Sequence, residues 1–156
     1  MSKAFTRESD DSGENFAPPR APLPPGTQNY ITPEGAAKIR AELARLLETK
    51  RNLAADAPNR SAVENRIQHL QNLVKTFVVV ERSASEVVRF GSEVLVNQNG
   101  TEERYRIVGV DEIDLERDHI SWLSPLARAL MARRAGDEVD FRAPSGMQRL
   151  KILSIH

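Results

Sequence analysis

Residues 120–130 read Ile-Ser-Trp-Leu-Ser-Pro-Leu-Ala-Arg-Ala-Leu. Ile120 and Trp122 flank Ser121 in the alternation of a half-buried strand. Ser124 then reads as a helix N-cap, with Pro125 at the first helical position, where a missing N–H costs nothing. Leu126 and Leu130, four apart, share one helical face. The basic pair Arg133-Arg134 followed by Gly136 is expected to close that helix. A strand running straight into a capped helix points to an α+β fold, and it leaves one question open. The stretch is either only a structural junction or also a surface that holds a partner.

The neighbouring sequence continues the pattern. Upstream, Glu93-Val94-Leu95-Val96 precedes Asn97-Gln98-Asn99-Gly100, a hairpin-turn signal, and residues 103–110 alternate and are β-rich. Downstream, residues 138–141 and 150–155 read as strands. This order predicts a small α+β domain over residues 87–156, a sheet curled against one helix.

Residues 29–81 follow a different period. Thr32 can cap a helix that begins Pro33-Glu34, and Ile39, Leu43, Leu46 and Leu53 fall in heptad steps with Lys50 in the missing place. A second seam follows at Val63, Ile67, Leu70, Val74 and Phe77. Pro58 stops the first helix, and Ser61 with Glu64 reads as a capping box that starts the second. The two seams predict an antiparallel helical hairpin, a short coiled coil with arms of roughly 36 Å and 28 Å. The outer positions Lys38, Arg40, Glu42, Arg45 and Glu48 are polar, against a coiled-coil interaction module with an apolar outer face.

Residues 1–28 are polar and small until Pro-Pro-Arg-Ala-Pro-Leu-Pro-Pro-Gly at 18–26, and are expected to be a disordered, extended tether or a docking tail. The 156 residues carry 22 basic and 22 acidic side chains and no cysteine. That balance gives no global field toward nucleic acid, and it leaves no disulfide and no Cys-based zinc site. No apolar run is long enough to cross a membrane and the start lacks a signal-peptide core, so a soluble, cytoplasmic monomer is expected. His69, His119 and His156 stand alone, without a companion at metal-ligand spacing.

The helical hairpin followed by Arg-Tyr-Arg-Ile-Val-Gly-Val-Asp-Glu-Ile-Asp (104–114), Ile-Ser-Trp-Leu-Ser-Pro-Leu-Ala-Arg-Ala-Leu (120–130) and Ala-Gly-Asp-Glu-Val-Asp-Phe-Arg-Ala-Pro-Ser-Gly (135–146) resembles the bacterial Gre family. These are the GreA/GreB transcript cleavage factors and short-armed relatives such as the nucleoside diphosphate kinase regulator Rnk. The resemblance covers roughly residues 29–156. It implies an FKBP-like fold for the third piece and docking on core RNA polymerase at the rim of the secondary channel, with the hairpin inserted. DNA and RNA are then reached only through the elongation complex. On this resemblance Leu123, Ser124, Pro125 and Leu126 lie on the polymerase-binding surface; Leu123 stands where the family often has a polar or acidic residue.

In cleavage-competent relatives the hairpin tip carries two acids, the second in a Glu-Asn pair, which help hold a second Mg²⁺ in the polymerase. Mg²⁺ is a hard ion that favours carboxylate oxygens. Here Glu64-Asn65 echoes the pair and Asp56 lies in the turn, so Asp56 and Glu64 are the candidate metal residues, only in company with the polymerase. The partner acid at the usual short spacing is missing, with Asn59 or Ser61 near its place. Across residues 48–65, Glu48, Asp56 and Glu64 face Lys50, Arg51 and Arg60, so the tip carries no net negative charge. Each arm is also about ten residues shorter than in full-length members, roughly 15 Å less reach. The expectation is therefore a modulator or competitor with no cofactor of its own and no catalytic residue, not an enzyme. The alternatives are an active cleavage factor supplying Asp56 and Glu64, and an FKBP-like prolyl isomerase. The scarce aromatic residues Phe90, Tyr105, Trp122 and Phe141 weigh against the isomerase.

Overall fold

The computed structural model describes residues 16–18, 20–113 and 118–156. Most of the tail expected to be disordered thus lies outside the described residues, as does Asp114 of the 104–114 motif. The chain divides into two compact units, one holding residues 39–75 with the described part of 1–21, the other residues 22–38 and 76–156.

In the first unit run most of helix α1 (Pro33–Asn52) and helix α2 (Arg60–Thr76). Glu42 pairs with Arg66 and Lys50 with Glu64, so contacts advance along one helix as they retreat along the other: the arms are antiparallel. Ile39 and Leu46 on α1 are buried, as are Val63, Ile67 and Leu70 on α2, which is the expected seam. The seam departs from expectation at its ends. Helix α1 stops at Asn52, leaving Leu53 in the loop; Leu73 rather than Val74 is buried; and Phe77 lies outside α2 altogether.

In the second unit Phe77 opens strand β2 (Phe77–Val79), which pairs in parallel with β1 (Asn29–Ile31). The Val80 N–H extends that pairing, donating to the Ile31 carbonyl at 2.9 Å. A five-stranded sheet follows in the spatial order β5 (His119–Ser121), β4 (Thr101–Val108), β3 (Glu93–Gln98), β7 (Gly146–Ile155), β6 (Glu138–Ala143). All its pairs are antiparallel except β4 with β5. The Asn99-Gly100 turn has both residues at positive φ, 54° and 82°, as a two-residue hairpin requires. Val94, Val96, Ile107, Val139, Leu150 and Ile152 from the sheet enclose Ala127 and Leu130 of helix α3 (Pro125–Leu130), together with Val88. This is the expected α+β unit.

Helix α3 ends earlier than Arg133-Arg134 and Gly136 suggested. Past Met131 the chain turns through Ala132 (φ 63°) and pairs with an extended segment: Val88 N–H donates to the Arg133 carbonyl at 2.8 Å, and Val87 bridges Arg134. The two arginines therefore serve a strand-like contact instead of a helix terminus. Gly136 (φ 91°) belongs to the turn into β6.

Candidate functional site

Residues 123–126 sit where β5 hands over to α3, and local hydrogen bonds fix the handover. The Ser121 side chain accepts from Leu123 N–H at 3.1 Å, and its carbonyl accepts from Ser124 N–H at 2.9 Å. Ser124 caps α3 as expected: its hydroxyl oxygen accepts from Ala127 N–H at 3.1 Å with extended backbone angles. Pro125 is exposed, Leu123 and Ser124 are half-buried, and Leu126 is half-buried against the core. The surface offered outward is thus centred on Pro125, flanked by parts of Leu123 and Ser124, and Leu126 is shared with the core. A cap and a contact are compatible, because the capping atom is the hydroxyl and the proline ring is left free.

A second cluster went unread in the sequence. The Glu112 carboxylate accepts from Thr32 N–H at 2.9 Å, from the Thr32 hydroxyl, and from Gly109 N–H at 2.8 Å. The Thr32 hydroxyl in turn caps α1, accepting from Gly35 N–H at 3.1 Å. The backbone approach dictates the glycine at Gly109, and the Glu112 side chain crowds Gly35. A Cβ at Gly109 would lie 2.2 Å from the Tyr30 carbonyl oxygen, and one at Gly35 would lie 1.9 Å from a Glu112 carboxylate oxygen. The Asn29 amide donates to Asp111 at 3.1 Å, adding a second tie between the same segments. Sequence alone offered one hint, the glycines beside Thr32 and before Asp111-Glu112. Glu112 itself carries no local sign of this use.

Glu34 lies nearby, 3.2 Å from the Arg106 guanidinium. A hydrogen bond with its own backbone N–H and then the interaction with Arg106 hold its carboxyl below the ordinary glutamate range, against the opposing effect of burial. Tyr105 is shifted upward, first by burial and then by the carboxylates of Glu103 and Asp118.

At the other candidate region, the hairpin tip, Asp56 is exposed in the loop. Glu64 does not form the capping box expected with Ser61. Helix α2 begins at Arg60, so Ser61 lies within its first turn, and the Glu64 carboxylate goes to Arg60 (3.1 Å) and Lys50 (3.6 Å). Arg60 also donates to the carbonyls of Leu53 and Ala54 at 3.3 and 3.5 Å, in the loop just past the end of α1. Asn65 is exposed on α2. Among the described residues no group of three or more acidic, histidine or cysteine side chains could hold a metal ion. Glu64, already between two cations, with one exposed Asp56 in the loop, makes a donor set too small for Mg²⁺ to be held by this chain alone.

Tyr105, Trp122 and Phe141 pack against the core. Phe90 packs with Tyr30 and Trp122.

A family model described as transcription elongation factor GreA/GreB, C-terminal, matches residues 83–156. GreB of Neisseria meningitidis serogroup B is 37% identical over 153 positions, covering 83% of this chain and 94% of the relative. GreB of Pseudomonas aeruginosa is 36% identical, covering 84% and 89%, and GreA of Geobacillus kaustophilus 34%, covering 82% and 96%. Among solved structures, GreA factor homolog 1 of Thermus thermophilus is 22% identical with a TM-score of 0.42, covering 83% of this chain and 99% of that one. The chain belongs to the GreA/GreB family of transcription elongation factors. Such factors are not enzymes themselves; they stimulate the cleavage activity of RNA polymerase.

Proposed function

We propose that this chain docks on bacterial core RNA polymerase at the secondary channel through Leu123, Ser124, Pro125 and Leu126 of its second unit. On this reading that unit is FKBP-like, the protein is a cytoplasmic monomer, and the hairpin enters the channel to modulate or compete rather than to promote cleavage. The observation that carries the last point is the state of Glu64: the acid of the Glu-Asn pair is held by Arg60 and Lys50. The shorter arms that the family resemblance implies point the same way. A carboxylate that is misplaced or short of reach contributes little where positioning is most of the catalysis.

A second reading, active cleavage with Asp56 and Glu64 helping the polymerase hold Mg²⁺, is favoured by the identity with proteins named GreB and GreA. Titrating the protein into backtracked elongation complexes that contain a limiting dose of a competent Gre factor separates the two. Slower RNA cleavage, with a binding control against capture of the added factor, is the expected result. Faster cleavage, lost in an Asp56→Ala/Glu64→Ala variant, would establish the second reading instead.

A further inference from the structure

Three rings from three separate stretches meet behind the Ser-Pro loop. Tyr30 lies in β1, Phe90 precedes β3 and Trp122 follows β5, with ring centroids 5.0 Å apart for Tyr30–Trp122, 5.9 Å for Tyr30–Phe90 and 6.5 Å for Phe90–Trp122. Each pair is tilted or edge-on, the arrangement aromatic quadrupoles favour. Trp122 is the residue from which the loop departs. Its backbone N–H is the last to join the ladder, donating to the Val108 carbonyl at 2.9 Å, and Leu123-Ser124-Pro125 follows at once. The ladder fixes where the loop begins and Ser124 fixes where α3 starts. Between them the Ser121 hydroxyl and carbonyl hold Leu123 and Ser124, and the Trp122 ring packs at the start of that turn.

The indole N–H adds a clue. It is buried and has no acceptor among the described residues. An orphaned buried donor is unfavourable, and a phenylalanine here would avoid it. Hydrogen bonding therefore does not explain the indole; the size of its ring against Tyr30 and Phe90 does.

We infer that Trp122 and Tyr30 are positioning residues for polymerase docking: their ring contact holds the Leu123–Pro125 backbone in the conformation that presents Pro125, without either ring touching the polymerase. This rests on the docking reading above. It makes binding and folding separable, which a purely structural role would not.

The test measures binding of the full chain to core polymerase alongside thermal unfolding. Trp122→Phe removes the orphaned donor but shrinks the ring, two opposing effects on stability, so it unfolds within about 5 °C of the parent while binding about fivefold to tenfold more weakly, the scale of one aromatic pair. Tyr30→Ala weakens binding by a similar factor, and Tyr30→Phe, which keeps the ring and drops only the hydroxyl, binds like the parent. Pro125→Asp, folded but unable to bind, is the control for docking. If Trp122→Phe and Tyr30→Ala both bind within twofold of the parent while Pro125→Asp does not bind, the positioning role is overturned and the docking surface stands. If Tyr30→Phe loses binding as Tyr30→Ala does, the hydroxyl matters and the ring-contact account is overturned. If Pro125→Asp binds like the parent, the docking reading fails and takes the positioning role with it.

Discussion

Along α1 and α2 the arms meet through one apolar row on each, Ile39 and Leu46 against Val63, Ile67 and Leu70, reinforced by the two-pronged Glu42–Arg66 pair at 2.8 and 3.0 Å. In the second unit, residues from four sheet strands close on α3 from several directions, and Glu112 gathers three donors in one carboxylate. The hairpin is a thin seam with charges beside it; the sheet unit is a filled core with polar ties at its margin. The difference teaches where each unit is vulnerable. A seam between two helices can close over a lost methyl group, whereas a sheet pinned on both sides cannot. Half-exposed ion pairs add little, because water and salt screen them.

The strongest way to break this comparison is to remove the same kind of side chain from each unit. Ile152, fully buried on β7 between β3 and β6, should lose about 4 kcal/mol on Ile152→Ala; Leu70→Ala in the seam should lose about 2 kcal/mol. Urea unfolding followed by far-ultraviolet circular dichroism measures both, and an equal or larger loss at Leu70 would sink the distinction. Next in size is Glu112→Ala, which strands the Thr32 and Gly109 donors and should destabilise the second unit by about 2–3 kcal/mol. The single Trp122 lies in this unit and reports its unfolding by fluorescence; a loss below about 0.5 kcal/mol would mean that water replaces the carboxylate readily. The smallest effect concerns Glu34. Its carboxyl is shifted down in the folded state, so the stability it supplies is complete above its unfolded value and is lost as pH falls through the folded one. Glu34→Gln should therefore be slightly less stable than the parent at neutral pH, within roughly 1 kcal/mol, and the gap should close on acidification. A gap that widens toward low pH would reverse the assigned sign.

Local pattern made much of this legible. The central seam residues announce themselves by heptad spacing, the Asn99-Gly100 turn by its glycine, and the α3 cap by Ser124-Pro125. What local pattern could not reach was pairing between distant stretches. Phe77 looks like another seam position because nothing near it reveals that Asn29 will be its strand partner. Arg133 and Arg134 look like helix-terminal cations because Val87 and Val88 lie far back in the chain. At the tip, Ser61 and Glu64 have capping-box spacing, yet Arg60 joins the helix first and claims the acid. Charged residues whose partners come from elsewhere in the fold, Glu112 above all, carry no local signature of that use.

The parallel pairing of β1 with β2 has one more consequence. The chain enters the helical pair from one of these strands and leaves it into the other, with Ile31 facing Val79 in register. The hairpin is therefore an excursion spliced between two strands that grip each other. Because closing a longer loop becomes costlier only slowly with length, whole heptads could be added to or taken from both arms while the grip and the sheet unit keep their register. The fold treats its hairpin as an interchangeable tool on a fixed handle.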